Sequence, residues 1–263
     1  MAATYDECYT PGLRESSVAF MANRSVETHA GFFLPHLSSG LSVLDLGCGP
    51  GSITAGLAAA VAPGPIIGID QGAEQLDQAR QRCAQLGLDN VRFEHGSCYQ
   101  IALPDQSVDR VFSHALVEHL ADPPHALTEI RRVLRPGGIV GLCSPDWGGF
   151  ILTPPSTALD DALHAYQELQ RHNGGDPLAG RKLGTYLACA GLAQIRTDAR
   201  YERYTDSTHI ASYLATQLND AGDSIHAHTL QAWATTPGAM FAQAWISATA
   251  IRPERADARR PPT

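Results

Sequence analysis

The residues with the clearest chemical pattern are three closely spaced glycines after a short apolar run. Gly47, Gly49 and Gly51 stand in the sequence VLDLGCGPG, directly after a buried strand predicted over residues 42–46. Glycine has no Cβ, so the backbone of such a turn can approach a ligand closely. A helix predicted to begin near Pro50 would direct free N–H groups and the positive end of its dipole at that ligand. This arrangement suits a carboxylate at least as well as a phosphate.

A carboxylate with the spacing of a ribose-binding residue follows the next predicted strand. Asp70 ends the predicted strand 66–70 in the sequence GID, at the distance from the glycines where an acidic residue can accept hydrogen bonds from ribose hydroxyls. In the dinucleotide fingerprint GxGxxG the third glycine would fall at position 52, which is Ser52 here. The spacing argues against NAD, although an oxidoreductase that uses a nicotinamide cofactor stays an alternative.

The elements that must position these residues alternate between strands and helices. Short apolar runs predict strands at 42–46, 66–70, 91–94, 109–113 and 139–144, with amphipathic helices between them. This alternation is typical of βα units around a parallel sheet. The later part of the chain predicts helices over 156–190, as a cap over the site, and over 206–219 and 224–235, with strands at 194–203 and 239–251.

The composition disfavours several classes of partner. Acidic residues outnumber basic ones by 27 to 19, which argues against nucleic acid. The six cysteines form no CxxC pair, so no metal site is expected and reduced thiols in the cytoplasm fit best. No secretory signal is apparent, and no segment has the roughly 20 apolar residues that cross a bilayer. We therefore expect a soluble cytoplasmic protein without a membrane partner, acting as a monomer or a homodimer.

Five segments of the chain resemble those of class I, Rossmann-like S-adenosylmethionine-dependent methyltransferases, particularly ubiquinone-biosynthesis and natural-product enzymes that act on small molecules. They are VLDLGCGPG at 43–51, GID at 68–70, LPDQSVD at 103–109, VEHL at 117–120 and LRPGG at 134–138. The resemblance implies an α/β, Rossmann-like, seven-stranded, mostly parallel sheet with helices on both faces and a helical lid or insertion. It also implies S-adenosylmethionine as cofactor, S-adenosylhomocysteine as product and a small-molecule acceptor, with secondary metabolism as one setting.

The same resemblance implies a division of the chain and a set of cofactor residues. We expect a helical lid segment at 1–40, the methyltransferase domain at 41–251 with a helical insertion at about 150–190, and a disordered tail at 252–263. The implied cofactor residues are Arg24, Asp45, Gly47, Cys48, Gly49, Asp70, Gln71, Gln75, Gly96, Ser97, Cys98 and His114. Among them, Asp45, Gly47 and Gly49 would lie beside the methionine part, Gly96 to Cys98 beside adenine, and His114 near the sulfonium. Ser97 departs from the family, which usually has an acidic residue there to accept a hydrogen bond from the adenine amine.

Methyl transfer depends mainly on alignment of the acceptor, and a weak nucleophile also needs a base. The candidate bases are His114, His119 and Asp146, because each is placed near the carboxyl edge of the predicted sheet. His119 and Glu118 have an alternative interpretation, in which they anchor the start of a helix through hydrogen bonds. Asp146 has one too, as the cap of the following turn.

Two aromatic residues are candidates for the acceptor pocket. Trp147 follows the fifth predicted strand and Tyr9 belongs to the segment that would close over the cofactor, although Trp147 could equally be a core residue. The apolar residues 150–152 favour a hydrophobic or aromatic acceptor. Oxygen, nitrogen and carbon acceptors stay open, as does a methyltransferase fold with cyclase or decarboxylase activity.

Overall fold

Seven strands form the sheet in the computed structural model, which describes Tyr5 and residues 7–12 and 23–254. The strands are β1 Val43–Leu46, β2 Ile66–Asp70, β3 Val91–His95, β4 Val108–His114, β5 Leu134–Thr153, β6 Ala193–Tyr204 and β7 Met240–Ile251. Their order in the sheet is β3-β2-β1-β4-β5-β7-β6. β7 is antiparallel to both of its neighbours, and the other pairs are parallel. This confirms the predicted α/β fold with a mostly parallel sheet.

Helices cover both faces of the sheet. They are α1 Val26–His29, α2 Ser52–Val61, α3 Ala73–Gln85, α4 Pro123–Val133, α5 Thr157–His172, α6 Ala179–Cys189, α7 Ser207–Asp220 and α8 Ser224–Ala234. α4 begins as the sequence predicts: the Asp122 side chain accepts a hydrogen bond from the His125 N–H, and prolines fill the first turn. Leu127 and Ile130 of α4 join Leu183 and Leu187 of α6 in one buried cluster on the sheet.

A close contact between two aromatic rings contributes to the packing on the other face of the sheet. Phe33, just after α1, is fully buried and packs on Phe112 of β4 with 5.5 Å between ring centroids. Gly141 of β5 makes room for it, because a Cβ there would lie 2.3 Å from the Phe33 ring. Helix α2 completes this layer through Leu57 and Val61. The site is therefore carried on a sheet that is packed from both sides.

A second cluster of buried residues lies over an extension of β5 and β7. The two strands stay paired from Ile139↔Ile251 to Thr153↔Met240, with an irregularity between Asp146 and Phe150. α5, α7 and α8, which we name the cap, pack there around Trp147 and Phe241. β5 is longer than the predicted 139–144, because Gly148 and Gly149 interrupt its apolar pattern while the ladder continues beyond them.

The predicted helical stretch 156–190 consists of two helices with different neighbours. Gly174, with φ of +86°, lies in the break between them, a conformation in which glycine carries no steric penalty. α5 belongs to the cap, whereas α6 packs with α4 on the sheet. Parts of the predicted segments 1–40 and 252–263 lie outside the described residues. Within the described ranges, no helix is long and apolar enough to cross a membrane.

Candidate active site

The largest concentration of predicted site residues surrounds a cavity of about 310 Å³ at the carboxyl ends of β1, β2 and β4. We name it the main cavity. Of the predicted cofactor residues, its wall includes Arg24, Asp45, Gly47, Cys48, Gly49, Asp70, Gln71, Gln75, Gly96, Cys98 and His114. Tyr9 and His119 also line it. Residues that are distant in sequence are thus brought to one place, where a nucleoside-sized ligand could lie.

The glycines of the turn after β1 have different structural tasks. Gly47, Gly49 and Gly51 all have positive φ, at 75°, 52° and 73°. A Cβ on Gly51 would lie 2.7 Å from the Cβ of Ala79 in α3, so this glycine is needed for packing. A Cβ on Gly49 would meet nothing within 4 Å, and Gly49 lines the main cavity. Its missing side chain leaves space for a ligand beside the start of α2.

Asp70 holds the glycine turn in place. Its Oδ2 accepts a hydrogen bond from the Gly49 N–H at 2.8 Å, and its Oδ1 accepts one from the Gly72 N–H at 2.8 Å. Each carboxylate oxygen can accept more than one hydrogen bond. Asp70 can therefore order the turn and still accept hydrogen bonds from hydroxyl groups of a ligand.

Asp45 links β1 to α2 beneath the main cavity. It is buried, and its Oδ2 accepts a 2.6 Å hydrogen bond from Thr54 Oγ1. Burial raises the pKa of Asp45 to about 7, although the Thr54 hydrogen bond acts in the opposite direction. The side chain therefore titrates near neutral pH.

The side of the cavity near Cys98 carries a carboxylate that the sequence did not reveal. Glu7 lines the cavity, and its Oε2 accepts hydrogen bonds from the Tyr99 hydroxyl at 2.6 Å and the Ala121 N–H at 2.7 Å. Ser97, predicted to contact adenine, does not line the cavity: its Oγ instead accepts a hydrogen bond from the Tyr99 N–H at 3.1 Å. The prediction for Ser97 is therefore corrected, because that hydroxyl closes a local turn.

Both histidines proposed as bases line the main cavity but are poor proton acceptors. His114 stacks on Trp245 at 4.7 Å, and neither ring nitrogen has a hydrogen-bond partner among the described residues. Burial, followed by the charge of Arg24, holds the pKa of His114 well below its ordinary value. The same two causes lower the pKa of His119 to about 3. Both rings are uncharged at neutral pH.

The alternative interpretation of His119, an anchor held by hydrogen bonds, is not supported at its Nδ1. His119 ends a short 3-10 turn, Val117–His119, and its Nδ1 has no hydrogen-bond partner in the part of the chain that the structure describes. Its ring meets the edge of the Tyr9 ring at 4.8 Å instead. The histidine is held by packing, and its Nδ1 stays available to accept a hydrogen bond.

Asp146 does not reach the main cavity, so its prediction as a base is corrected. Its two oxygens accept 2.6 Å hydrogen bonds from Arg181 Nε and Nη2, together with bonds from the N–H groups of Gly148 and Arg181. The carboxylate is fully used in joining β5 to α6. Trp147 next to it is buried in the cap cluster, where it packs on Tyr166 with 4.8 Å between centroids.

A smaller recess of about 30 Å³ continues from the main cavity under the cap. We name it the aromatic recess. Its lining includes Tyr9, Arg24, Ala115, Glu118, His119, Trp147, Tyr166, Gln170, Tyr204, Tyr213 and Trp245. Four of these, Tyr9, Arg24, Ala115 and His119, also line the main cavity. A molecule in the recess would therefore adjoin a ligand in the main cavity.

Glu118 is the acidic residue of the aromatic recess, and the sequence placed it only as a helix anchor. It is 2% exposed, and its Oε2 accepts a 2.8 Å hydrogen bond from Ser144 Oγ. Burial raises the pKa of Glu118 to about 7, while a backbone hydrogen bond and that from Ser144 oppose the shift. Glu118 can therefore take up or release a proton near neutral pH.

Arg24 stands where the two spaces meet. Its guanidinium lies 5.6 Å from the centroid of Trp245, and it has no carboxylate partner among the residues that are described. It also lines a third, polar pocket beside Glu202. A cation that has no carboxylate partner within the described ranges suits an anionic group of a ligand at this junction.

Comparison with known proteins agrees with this geometry. A family model described as methyltransferase domain matches residues 37–205. The chain is 33% identical over 190 residues to an uncharacterized methyltransferase of Schizosaccharomyces pombe, covering 70% of this chain and 68% of that protein. It is 40% identical over 157 residues to an uncharacterized 37.1 kDa protein of transposon TN4556 from Streptomyces fradiae, covering 59% of this chain but only 44% of that protein. The crystal structure of YcgJ from Bacillus subtilis superposes with a TM-score of 0.63 at 20% identity, covering 85% of this chain and 97% of that chain.

Proposed function

Because the chain belongs to the class I S-adenosylmethionine-dependent methyltransferases, we propose that it transfers the methyl group of S-adenosylmethionine to a small-molecule acceptor. The observation that carries the proposal is the main cavity, with its glycine turn and Asp70, opening into the aromatic recess. The narrow recess under the cap supports a small acceptor. A polymer would need an open groove along the protein surface.

The residues of the main cavity fit this cofactor. Gly49 leaves open space beside the start of α2, whose free N–H groups suit the carboxylate of the methionine part. Arg24 offers a second, cationic partner for that carboxylate. Gln75 Nε2, a buried donor without a partner in the described ranges, lines the same wall. When bound, the cofactor supplies a methyl group made electrophilic by a sulfonium.

Two carboxylates can accept hydrogen bonds from the ribose and the adenine of the cofactor. We assign the ribose hydroxyls to Asp70 and the adenine amine to the free oxygen of Glu7, in place of Ser97. Glu7 Oε2 is already held by two donors, which leaves Oε1 as the acceptor. A carboxylate is a stronger hydrogen-bond acceptor than a hydroxyl.

The protein contributes to the reaction mainly by position and by charge. Alignment of acceptor and methyl group can contribute on the order of 7 to 11 kcal/mol in favourable cases. His114 supports the reaction by staying neutral, since a protonated imidazole would repel the positively charged sulfur. Arg24 stands at the passage between the two spaces, where both reactants would meet.

Calorimetry and label transfer test the proposal. The protein should bind S-adenosylmethionine and S-adenosylhomocysteine, and it should not bind NADH. With methyl-labelled cofactor and a panel of phenols, alcohols, amines and oxo acids, label should move to at least one class of acceptor. Binding of NADH in preference to S-adenosylmethionine would overturn the assignment of the site. Binding of the cofactor without transfer to any acceptor would contradict the proposed reaction.

A further inference from the structure

The aromatic recess is the space from which an acceptor could approach the cofactor. It shares walls with the main cavity at Ala115 and His119, next to the end of β4, and it extends from there beneath the cap. With a volume of about 30 Å³, it admits one functional group of a ligand. The chemistry of its wall therefore selects the group at which methyl transfer would occur.

Two polar atoms of this wall are hydrogen-bond acceptors that lack a donor among the described residues. Gln170 is 1% exposed, and its Nε2 donates to the backbone carbonyl of Glu118 at 2.9 Å. Its Oε1 has no partner among the described residues, which leaves a buried acceptor unsatisfied. His119 Nε2 lies 3.7 Å from Glu118 Oε1. With the ring proton on that side, the unpartnered Nδ1 of His119 is a second free acceptor.

A ligand group that donates a hydrogen bond would supply a partner for one of these two acceptors. A buried acceptor left unpaired weakens binding, so a donor-bearing ligand is favoured over one without a donor. Water, alcohols, phenols and amines all have such a group. The sequence alone left oxygen, nitrogen and carbon acceptors open. The unpaired hydrogen-bond acceptors of the recess favour those acceptor molecules whose reacting group donates a hydrogen bond.

The charges around the recess distinguish between the remaining classes of methyl-acceptor molecule. The sulfonium of the bound cofactor would bring a positive charge to the junction of the recess with the main cavity. It would repel an ammonium group, and an ammonium group paired with the Glu118 carboxylate would have no lone pair with which to attack the methyl carbon. The carboxylate of Glu118 would likewise repel an acceptor that carries its own carboxylate beside the reacting group. An uncharged hydroxyl group meets neither repulsion, and the ring of Tyr9, which lines both spaces, favours a flat apolar body at the mouth of the recess.

We infer that the aromatic recess receives the hydroxyl group of an uncharged phenol, and that Glu118 accepts its proton during O-methylation. The inference rests on the proposed function. The acceptor oxygen forms a bond to the methyl carbon while the carbon–sulfur bond breaks, and its electron pair stays on sulfur. The phenolic proton passes to the Glu118 carboxylate and from there to water. Gln170 Oε1 positions the hydroxyl group by accepting its hydrogen bond before transfer.

The substitution Glu118→Gln tests the role of the carboxylate in catalysis. The wild-type kcat for a phenol should rise with pH through the region near 7, where Glu118 ionises. In the variant kcat should fall by about a hundredfold or more, as expected for loss of a general base, and the rise should disappear. Glu168→Gln makes the same chemical change on α5 at an exposed side chain, and it should keep the wild-type profile. S-adenosylhomocysteine affinity, measured by calorimetry, should be equal in all three proteins.

A binding measurement tests the recess without turnover. In the S-adenosylhomocysteine complex, phenol, methoxybenzene and benzylamine are titrated while tryptophan fluorescence reports on Trp147 and Trp245. Phenol should bind about tenfold or more tightly than methoxybenzene, which has no donor. Gln170→Met should reduce that ratio.

The outcomes separate the inference from the proposed function. If S-adenosylmethionine does not bind, the proposed function fails. If it binds and label moves to amines or carbon acids rather than to phenols, the inference is overturned while the methyltransferase assignment stands. An unchanged pH profile in Glu118→Gln, or equal affinity for phenol and methoxybenzene, also overturns the inference.

Discussion

The Asp70 carboxylate and the Gly49 N–H are joined by a 2.8 Å hydrogen bond that connects the end of β2 to the glycine turn after β1. One residue therefore has two tasks. It fixes the backbone that would face the cofactor, and its remaining lone pairs can accept hydrogen bonds from the ribose. The two tasks can be separated experimentally, because the first exists without a ligand.

The substitution Asp70→Asn should weaken cofactor binding and lower stability without cofactor. The amide would place a donor among the N–H groups of Gly49 and Gly72, which removes at least one hydrogen bond. We expect calorimetry to show at least about a tenfold loss of S-adenosylmethionine affinity, and denaturant unfolding to show a loss of about 1–2 kcal/mol. Asp77→Asn, at an exposed position on α3, is the control. Unchanged affinity for the cofactor would refute the ribose assignment.

Alanine at three glycines should distinguish backbone strain from loss of ligand space. Gly49, Gly51 and Gly87 all have positive φ, so alanine should cost each about 1 kcal/mol. Gly51→Ala adds a clash with Ala79 and should destabilise the fold most. Gly49→Ala should resemble Gly87→Ala in thermal unfolding yet bind S-adenosylmethionine much more weakly than that control. Equal cofactor affinity in Gly49→Ala and Gly87→Ala would contradict the assignment of the space beside Gly49 to the cofactor.

Glu118 should make the protein less stable as the pH rises. Its pKa is about 7 in the folded state against an ordinary value of 4.5, so between those values the folded protein binds the proton more tightly than the unfolded chain. The stability that this proton contributes is present below about pH 4.5 and lost as the pH rises through 7, by up to about 3 kcal/mol. Asp45 acts in the same direction.

The matching measurement compares wild-type protein with Glu118→Gln across that range. Denaturant unfolding at pH 5 and pH 8 should show a smaller loss of stability in the variant, because its amide does not ionise. Asp45 still titrates in both proteins, so the difference between them isolates Glu118. A parallel loss in the two proteins would show that Glu118 keeps an ordinary pKa.

Asp146→Asn should affect stability and leave the acid–base behaviour unchanged. The Asp146 side chain is 4% exposed and its partner Arg181 is 52% exposed, so the loss should be moderate, about 1–3 kcal/mol in denaturant unfolding. The pH dependence of methyl transfer should match that of the wild type. A changed profile would return Asp146 to the list of candidate bases.

Glu7→Gln should weaken binding of S-adenosylmethionine while sparing that of methionine-containing fragments without adenine. The amide can replace only part of what the carboxylate does, since Oε2 already accepts hydrogen bonds from Tyr99 and Ala121. We expect a loss of about fivefold or more in calorimetry, equal to about 1 kcal/mol. Ser97→Ala should have a smaller effect. A larger loss for Ser97→Ala would restore the adenine contact to Ser97.

The parts of the site that the sequence predicted are those with local signals. The turn of β1 and Asp70 are recognisable because strand, glycines and carboxylate follow one another within a short segment. Glu118 lacks such a signal: its environment is completed by Ser144 and Gln170, which lie 26 and 52 residues further along the chain. The interpretation of Asp146 as a base failed for the same reason, because Arg181 is 35 residues away, whereas its local role as the cap of the following turn is confirmed by the hydrogen bond from the Gly148 N–H.

The fold shows the same division between local and distant causes. The first five strands and most helices follow from periodicity and from caps such as Asp122, which act within a few residues. The length of β5 depends on its pairing with β7, which lies about a hundred residues later in the chain. The short apolar run at 139–144 gives no sequence signal for that pairing. The division of 156–190 between cap and sheet likewise depends on surfaces contributed by other segments.

The position of β7 has a consequence for synthesis on the ribosome. Among the described strands β7 emerges last, yet it lies between β5 and β6, and β6 has no other neighbour. A nascent chain that has been synthesised as far as α8 can pair its first five strands. At that point β6 has no strand to pair with. The extension of β5 also lacks its partner β7, so it cannot support the cap. The pocket for the acceptor is therefore assembled after the cofactor-binding half, in a single late step that inserts a strand between two existing ones.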